Sequence, residues 1–139
     1  MSRKEDAVNR FKFQHHNCAQ AVACAYADKV GIDEETIFRI IEGFGGGIAG
    51  SGHVCGALSG LCSVASMSLC PKMDINNPTK KTTYPAINKM VKEFEERQGS
   101  CDCRVLLKTK DNTLIDGKKA GCIKCVTDCC DILDEFFKD

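Results

Sequence analysis

"IDEETIFRIIEGFGGGIAGSGHVCG", residues 32–56, is the stretch on which the fold class turns. Its glycines spell Gly45-x-Gly47-x-x-Gly50, the letters of a dinucleotide-binding fingerprint. That fingerprint works only where a strand feeds a tight turn and the next helix aims its N-terminal amides at a pyrophosphate. Here the run before the glycines has the wrong period. Ile37, Ile40, Ile41 and Phe44 recur at helical spacing behind an Asp33 N-cap, so a helix enters the loop where the fingerprint needs a strand. No Gly-Lys-Ser/Thr follows, which disposes of a P-loop, and no nucleotide is expected. The segment then reads either as a structural glycine connector or as a loop that positions Cys55.

Outward from this stretch the helical period continues. "SRKEDAVNRF" starts on a Ser2 N-cap, and "NCAQAVACAYADKVG" is a second helix, rich in alanine and ended by Gly31. Asp33 to Gly43 is the third. "HVCGALSGLCSVASMSLC" is the fourth, with Leu58, Leu61, Ala65 and Leu69 on its apolar side and Pro71 as its stop. "YPAINKMVKEFEERQG" carries an Ile87, Met90, Val91 and Phe94 stripe and ends at Gly99. A last helix spans about Gly121 to Phe137, with Ile123, Val126, Cys130, Leu133 and Phe137 on one face. Only "CRVLLKT" and "NTLI" suit strands, and both are short. The expectation is an all-α single compact domain, 1–139, of five or six helices, with a glycine-rich loop before the central helix.

Composition turns attention to thiols. There are 11 cysteines in 139 residues, close to the density of disulfide scaffolds in short secreted chains. The start, "MSRKEDAVNRFKFQHHNC", is charged and helical with no apolar leader pattern, so the expected location is a reducing cytoplasm, where cysteines are ligands, redox groups or buried small hydrophobes. The odd count also rules out complete internal pairing. No apolar run approaches the ~18 residues that span a bilayer, so no membrane is expected. With 19 basic and 19 acidic residues intermixed, net charge is zero and no basic patch appears, which makes nucleic acid a poor partner. The small-residue run "CAQAVACAYA" suggests a flat face for a homodimer.

By spacing alone, the strongest chemical signal is Cys101-x-Cys103 followed, eighteen residues on, by Cys122-x-x-Cys125. Two close cysteine pairs joined by a chain reversal make a tetrahedral thiolate site for zinc or iron. Cys122-x-x-Cys125-x-x-x-Cys129 overlaps it, but three cysteines inside one helix converge only if a turn unwinds. The adjacent Cys129 and Cys130 point to different faces, as a buried hydrophobe and a surface thiol. His53, His15 and His16 are weaker candidates; a histidine near a helix start is more often solvated or a cap.

"NCAQAV" (Asn17 to Val22), "GFGGGIAGSGHVCGALSG" (43–60), "GSCDCRVLL" (99–107) and "GCIKCVTDCCDIL" (121–133), in this order, resemble the C_GCAxxG_C_C family of redox-active proteins. Residue by residue, the four signature cysteines of that family fall on Cys18, Cys55, Cys103 and Cys122. His15 and His16 stand where the family usually carries a glycine and an aromatic. The resemblance implies redox activity of the four cysteines and names no substrate or electron partner. It also makes the glycines the approach to Cys55, whose place at the first turn of a helix favours a thiolate. Gly45, Gly46 and Gly47, with Gly56 and Gly60, become the candidate cofactor-binding glycines; Gly56 and Gly60, four apart, bare one helix face for another backbone or a bulky inorganic cluster.

Three function classes follow. The first is an iron–sulfur or similarly metallated electron carrier, with Cys18, Cys55, Cys103 and Cys122 as ligands and an unidentified redox partner protein. The second is a thiol–disulfide oxidoreductase in which two of the same four cycle, with Cys55 as the attacking thiolate. The third is a zinc-binding protein without redox chemistry, or a small-molecule module. Between the two four-cysteine sets, which share Cys103 and Cys122, the expected pair is Cys18 and Cys55 over Cys101 and Cys125.

Overall fold

The computed structural model describes residues 1–138 and is mostly helical. Among the described residues eight α-helices run in chain order: α1 (Arg3–Phe13), α2 (Cys18–Cys24), α3 (Ala27–Val30), α4 (Glu34–Ile41), α5 (Gly56–Leu69), α6 (Lys80–Gln98), α7 (Cys103–Thr109) and α8 (Ala120–Phe136). A 3₁₀ turn at Glu42–Phe44 follows α4, and a small antiparallel hairpin, β1 (Leu114–Ile115) with β2 (Lys118–Lys119), precedes α8. No helix is long and apolar enough to cross a membrane.

The expected helix starts and stops have physical counterparts. The Ser2 hydroxyl accepts from the Glu5 amide and the Asp33 carboxylate from the Thr36 amide, while Gly31 and Gly99 end their helices in the left-handed region. Two segments account for the helices beyond the expected number. The alanine-rich segment breaks at Tyr26, whose ring is fully buried and whose hydroxyl reaches Asp134 Oδ1 at 2.7 Å and the Cys130 carbonyl oxygen at 3.0 Å. Turning that side chain toward α8 ends α2 and starts α3. "CRVLLKT", expected as a strand, is helix α7, because the Asp102 carboxylate caps it by accepting from the Arg104 and Val105 amides at 2.9 and 3.3 Å. The helix expected from Tyr84 also begins earlier, at Lys80, and holds Pro85 inside it.

The core is organised by α2, α5 and α8. Ala19, Ala21, Val22 and Ala23 of α2 are buried, and α2 lies close against α5 at Gly60, where a Cβ would stand 2.7 Å from the Ala19 carbonyl oxygen. The small-residue face expected to meet a second copy is therefore covered within the chain. Leu58, Leu61 and Val64 of α5 are buried, each contributing roughly 1.5–3 kcal/mol. In α4 only Ile37 and Ile41 are buried; Ile40 and Phe44, expected on the same face, are exposed, Ile40 because it stands about 100° round the helix from Ile41 and Phe44 because it lies in the 3₁₀ turn after the helix. Across α6 and α8 the buried Asp128 carboxylate accepts from Gln98 Nε2 at 2.6 Å and Lys124 Nζ at 2.5 Å, with Arg97 at 3.5 Å, which fixes α8 one turn beyond Cys125. A carboxylate so deep is tolerated because cations and an amide surround it.

Candidate functional site

Between α4 and α5 the backbone does something regular structure avoids. Gly46, Gly47, Ile48, Ala49 and Gly50 all have positive φ, 64°, 73°, 69°, 51° and 76°, so five consecutive residues are left-handed. Glycine takes this without penalty, whereas the Cβ of Ile48 and Ala49 costs roughly 1–2 kcal/mol per residue. The turn is closed by backbone bonds from Gly50 to Gly45, Gly52 to Gly46 and His53 to Gly47, at 3.1, 3.1 and 2.9 Å. It leads residues 52–55 alongside residues 101–104. There the Cys55 amide donates to the Cys101 carbonyl (2.8 Å), the Cys103 amide to that of His53 (2.6 Å) and the Arg104 amide to that of Gly52 (3.1 Å). This pairing sets Cys55 and Cys103, distant in sequence, side by side.

A cavity of about 230 Å³ opens at this junction. Cys18, Cys55, Cys103, Cys122 and Cys125 line it, Phe11, Leu106 and Leu107 supply apolar wall, and Lys110, Lys118 and Lys119 stand around it. All four signature thiols thus face one space, and each belongs to the start of a helix: Cys18 opens α2, Cys55 caps α5, Cys103 opens α7 and Cys122 is in the first turn of α8. Amide N–H groups with no helical partner gather at such ends and favour negative charge.

Each position has a local cause. Asn17 caps α2 through a reciprocal pair with Gln20, at 2.8 and 2.9 Å, and its amide nitrogen donates to the Glu42 carbonyl at 2.8 Å. Upstream, His15 has φ of 56°, and the His16 ring is buried edge-on against Phe38 with centroids 5.0 Å apart. The two histidines therefore do the jobs of a glycine and an aromatic at a left-handed turn. Cys122 is brought in by Gly121, where a Cβ would lie 2.6 Å from that of Lys110 and whose amide donates to the Asp111 carbonyl at 2.8 Å.

The thiols are not equivalent. Cys55 lies below the ordinary thiol range, first because the Cys125 thiol donates toward its sulfur and then because the Leu58 and Ala57 amides face it, all against the cost of burial. The amide contacts fall short of a full capping hydrogen bond and act as nearby dipoles. Cys125 is raised in return. Cys18 is pushed up to about 11 by burial and by the Cys55 charge, with the Gly46 amide working the other way. Burial and the same charge raise Cys103 and Cys122, and Lys119 offsets part of both shifts. Of the cavity thiols, Cys55 is thus the one whose thiolate form is most favoured.

Of the candidate glycines, Gly46 and Gly56 line the cavity. A Cβ on Gly56 would stand 2.5 Å from the Cys18 sulfur, so its bareness gives that thiol its place. Gly45 lies against the Asn17 side chain, Gly47 against His53 and Cys103, and Gly60 against the α2 backbone. Cys101 of the spacing-derived zinc set is outside the lining, with its sulfur 3.9 Å from Glu95 Oε2. Cys125 of that set is inside; spacing offered it only as part of the zinc pattern. Cys129 and Cys130, expected as one buried and one surface thiol, are both fully buried, because α8 is covered by α1, α2, α5 and α6. Among the described residues no three of these side chains, with His, Asp and Glu included, are drawn together tightly enough to hold one metal ion. The thiols are spread around the wall.

A helical protein with a thiol-lined cavity at converging helix starts is defined by these observations. The chain belongs to the C_GCAxxG_C_C family, whose model, described as "Putative redox-active protein (C_GCAxxG_C_C)", matches residues 16–136. A protein of Archaeoglobus fulgidus, described as uncharacterized, is 31% identical over 130 residues, covering 88% of this chain and 85% of its own. No solved structure matches.

Proposed function

We propose that this protein is an electron carrier in which Cys18, Cys55, Cys103 and Cys122 ligate an iron–sulfur cluster. The observation that supports this most directly is that thiols from four separate segments line one cavity. Four-cysteine ligation is what such clusters require, and a cluster several atoms wide suits thiols spread around a wall better than a single tetrahedral zinc with Zn–S of about 2.3 Å does. Cys55 offers a thiolate readily, and Lys118 and Lys119 partly balance the charge of the others. When bound, the cluster supplies a one-electron couple. The chain's own part is to hold the thiolates, shield them with Phe11, Leu106 and Leu107, and aim the Gly46, Ala57 and Leu58 amides at sulfur, which tunes a potential. A reducing cytoplasm, where ligand thiols stay unpaired, fits this role, and electrons then pass to a partner protein.

A second reading, thiol–disulfide exchange by the signature cysteines, is favoured by the lowered Cys55. Anaerobic purification followed by iron and acid-labile sulfide analysis separates the two. The expected result is a coloured protein with iron and sulfide together, bleached by dithionite. A colourless protein that takes up neither after reconstitution overturns the cluster reading, and one equivalent of zinc moves the assignment to the zinc class.

A further inference from the structure

The cavity mouth carries charge of mostly one sign. Lys110, Lys118 and Lys119 line it, with Asp111 as the one carboxylate among the lining residues, and Lys108 stands exposed on α7 nearby. Helix α7 and the hairpin thus gather lysines that are spread along the sequence. Of the seven charged residues between 104 and 119, five are basic. The chain as a whole holds 19 basic and 19 acidic residues, so this surplus is set against an acidic surplus elsewhere. We infer that this face docks a redox partner protein through a carboxylate-rich patch around the partner's own redox centre. The inference rests on the reading above for the electron that passes, and on this face alone for the binding.

Four observations carry this. Among the described residues none of Lys108, Lys110, Lys118 and Lys119 is in an ion pair, whereas the neighbouring Asp116 is already held by Lys12 at 3.1 Å, so the lysines are free to meet carboxylates. Lys118 Nζ lies 5.0 Å from the centre of the Phe11 ring, part of the cavity wall, which fixes one cation over the wall that shields the thiols. The hairpin register pairs Leu114 with Lys119 and Ile115 with Lys118, so each cation has an apolar neighbour on its own face, and Leu114 is 65% and Ile115 44% exposed. Apolar groups among cations suit a small transient complex, in which charge steers the encounter and aliphatic contact seats it. Residues 104–119 contain no aromatic side chain on which a nucleic-acid base could stack, which favours a protein partner. A partner seated on these lysines stands at the cavity that the four signature thiols share. One electron crosses per encounter; the donor's centre is oxidised by one as the acceptor's is reduced by one, and no bond or proton moves.

The binding test uses the full chain and a fluorescein-labelled oligoglutamate peptide. Carbodiimide cross-linking at low salt, followed by peptide mapping, should place most adducts on Lys108, Lys110, Lys118 and Lys119. Fluorescence anisotropy should show affinity falling at least about 10-fold between roughly 10 mM and 1 M salt, as the Debye length shortens from about 30 to about 3 Å, and by a similar factor in Lys108→Glu/Lys119→Glu at low salt. Lys89→Glu/Lys92→Glu makes the same change of charge on α6, outside the cavity lining, and should bind the peptide more tightly than the cavity-face variant. Adducts spread evenly over the lysines of α6, equal losses in the two variants, or tighter binding of an oligothymidylate of matched charge overturn the inference, and the wild-type map decides even if a variant misfolds. The electron is read separately. Iron-loaded protein should give a reversible signal on gold coated with carboxylate-ended thiols and a weaker one on amine-ended thiols; the opposite preference overturns the inference too. A chain that takes up no iron gives no signal on either surface, and if it still binds the peptide through these lysines, the cluster reading has failed and the docking face stands.

Discussion

Helix α8 carries thiols of two kinds within three turns. Cys122 and Cys125, at its start, face the cavity; Cys129 and Cys130, one turn on, are sealed in the core at 0% exposure. The cavity end is built from a left-handed loop, a two-residue hairpin and short helices, so its backbone is irregular and partly strained. The core end is continuous helix covered on several sides. The difference teaches that a cysteine's chemistry is set by what surrounds its sulfur. At one end stand amides, lysines and another thiol; at the other, burial is the largest influence and raises Cys129 well above the ordinary thiol range.

The strongest way to break this comparison is to move metal binding from one end to the other. Replacing Cys18 and Cys55 together by serine should lower iron affinity by at least about 10³-fold, since perturbing even the partners of metal ligands costs 10–100-fold. Replacing Cys129 and Cys130 by alanine should leave iron content intact. Metal analysis after reconstitution reads both. Loss of iron in a Cys101/Cys125 serine variant, with iron kept in the Cys18/Cys55 variant, reverses the assignment and restores the zinc-type set.

Gly60 offers a test where propensity and structure disagree in sign. Alanine in a helix is worth up to about 1 kcal/mol over glycine, so Gly60→Ala looks stabilising from the sequence. In the fold the added Cβ would meet the Ala19 carbonyl oxygen at 2.7 Å and Val22 Cβ at 3.2 Å, and the first of these is backbone that cannot swing aside. Overpacking costs about 1–3 kcal/mol, so the net expectation is a loss of about 1 kcal/mol or more by urea denaturation. A more stable Gly60→Ala would mean that α2 and α5 are not this close.

The core end has its own probe. Cys129→Ala removes packed atoms for about 1 kcal/mol, while Cys129→Ser places a hydroxyl in the same apolar position. That hydroxyl can bond back to the carbonyl four residues earlier, which limits the extra loss to somewhat under the usual 1–3 kcal/mol of an unsatisfied buried group. The serine variant should therefore be the less stable of the two. Equal stabilities would make Cys129 a polar position and blur the contrast with Cys125.

What the sequence makes legible follows the same divide. Helices with local signals, the Ser2 and Asp33 caps and the Gly31 and Gly99 stops, are readable because their causes lie within a few residues. The break at Tyr26 is not, since its cause is a hydrogen bond to residues more than a hundred positions away. The strand-like letters of α7 mislead because Val105 and Leu107 have no sheet to join, and the Asp102 cap decides instead. The hairpin had a local sign, Asp116-Gly117 with φ of 52° and 82°, the pair that a tight two-residue turn prefers. The four signature cysteines are legible through family resemblance. Cys125's place beside Cys55 depends on how α5 meets α8, and the lysines around the cavity carry no motif at all.

The smallest effect tests the strain at the cavity end. Ala49 is exposed and left-handed at φ of 51°, so its methyl costs backbone energy without filling any core. Glycine at this position removes roughly 1–2 kcal/mol of steric penalty. It also loosens the unfolded chain, which takes back about 0.4–1 kcal/mol. The difference leaves Ala49→Gly more stable by about 0.5–1 kcal/mol, against the usual destabilising direction of an alanine-to-glycine change. Denaturant midpoints of the two chains at matched slope measure it. A loss of stability would mean that residues 46–50 are not held left-handed, and the loop that sets Cys55 beside Cys103 would then be formed by its backbone pairing alone.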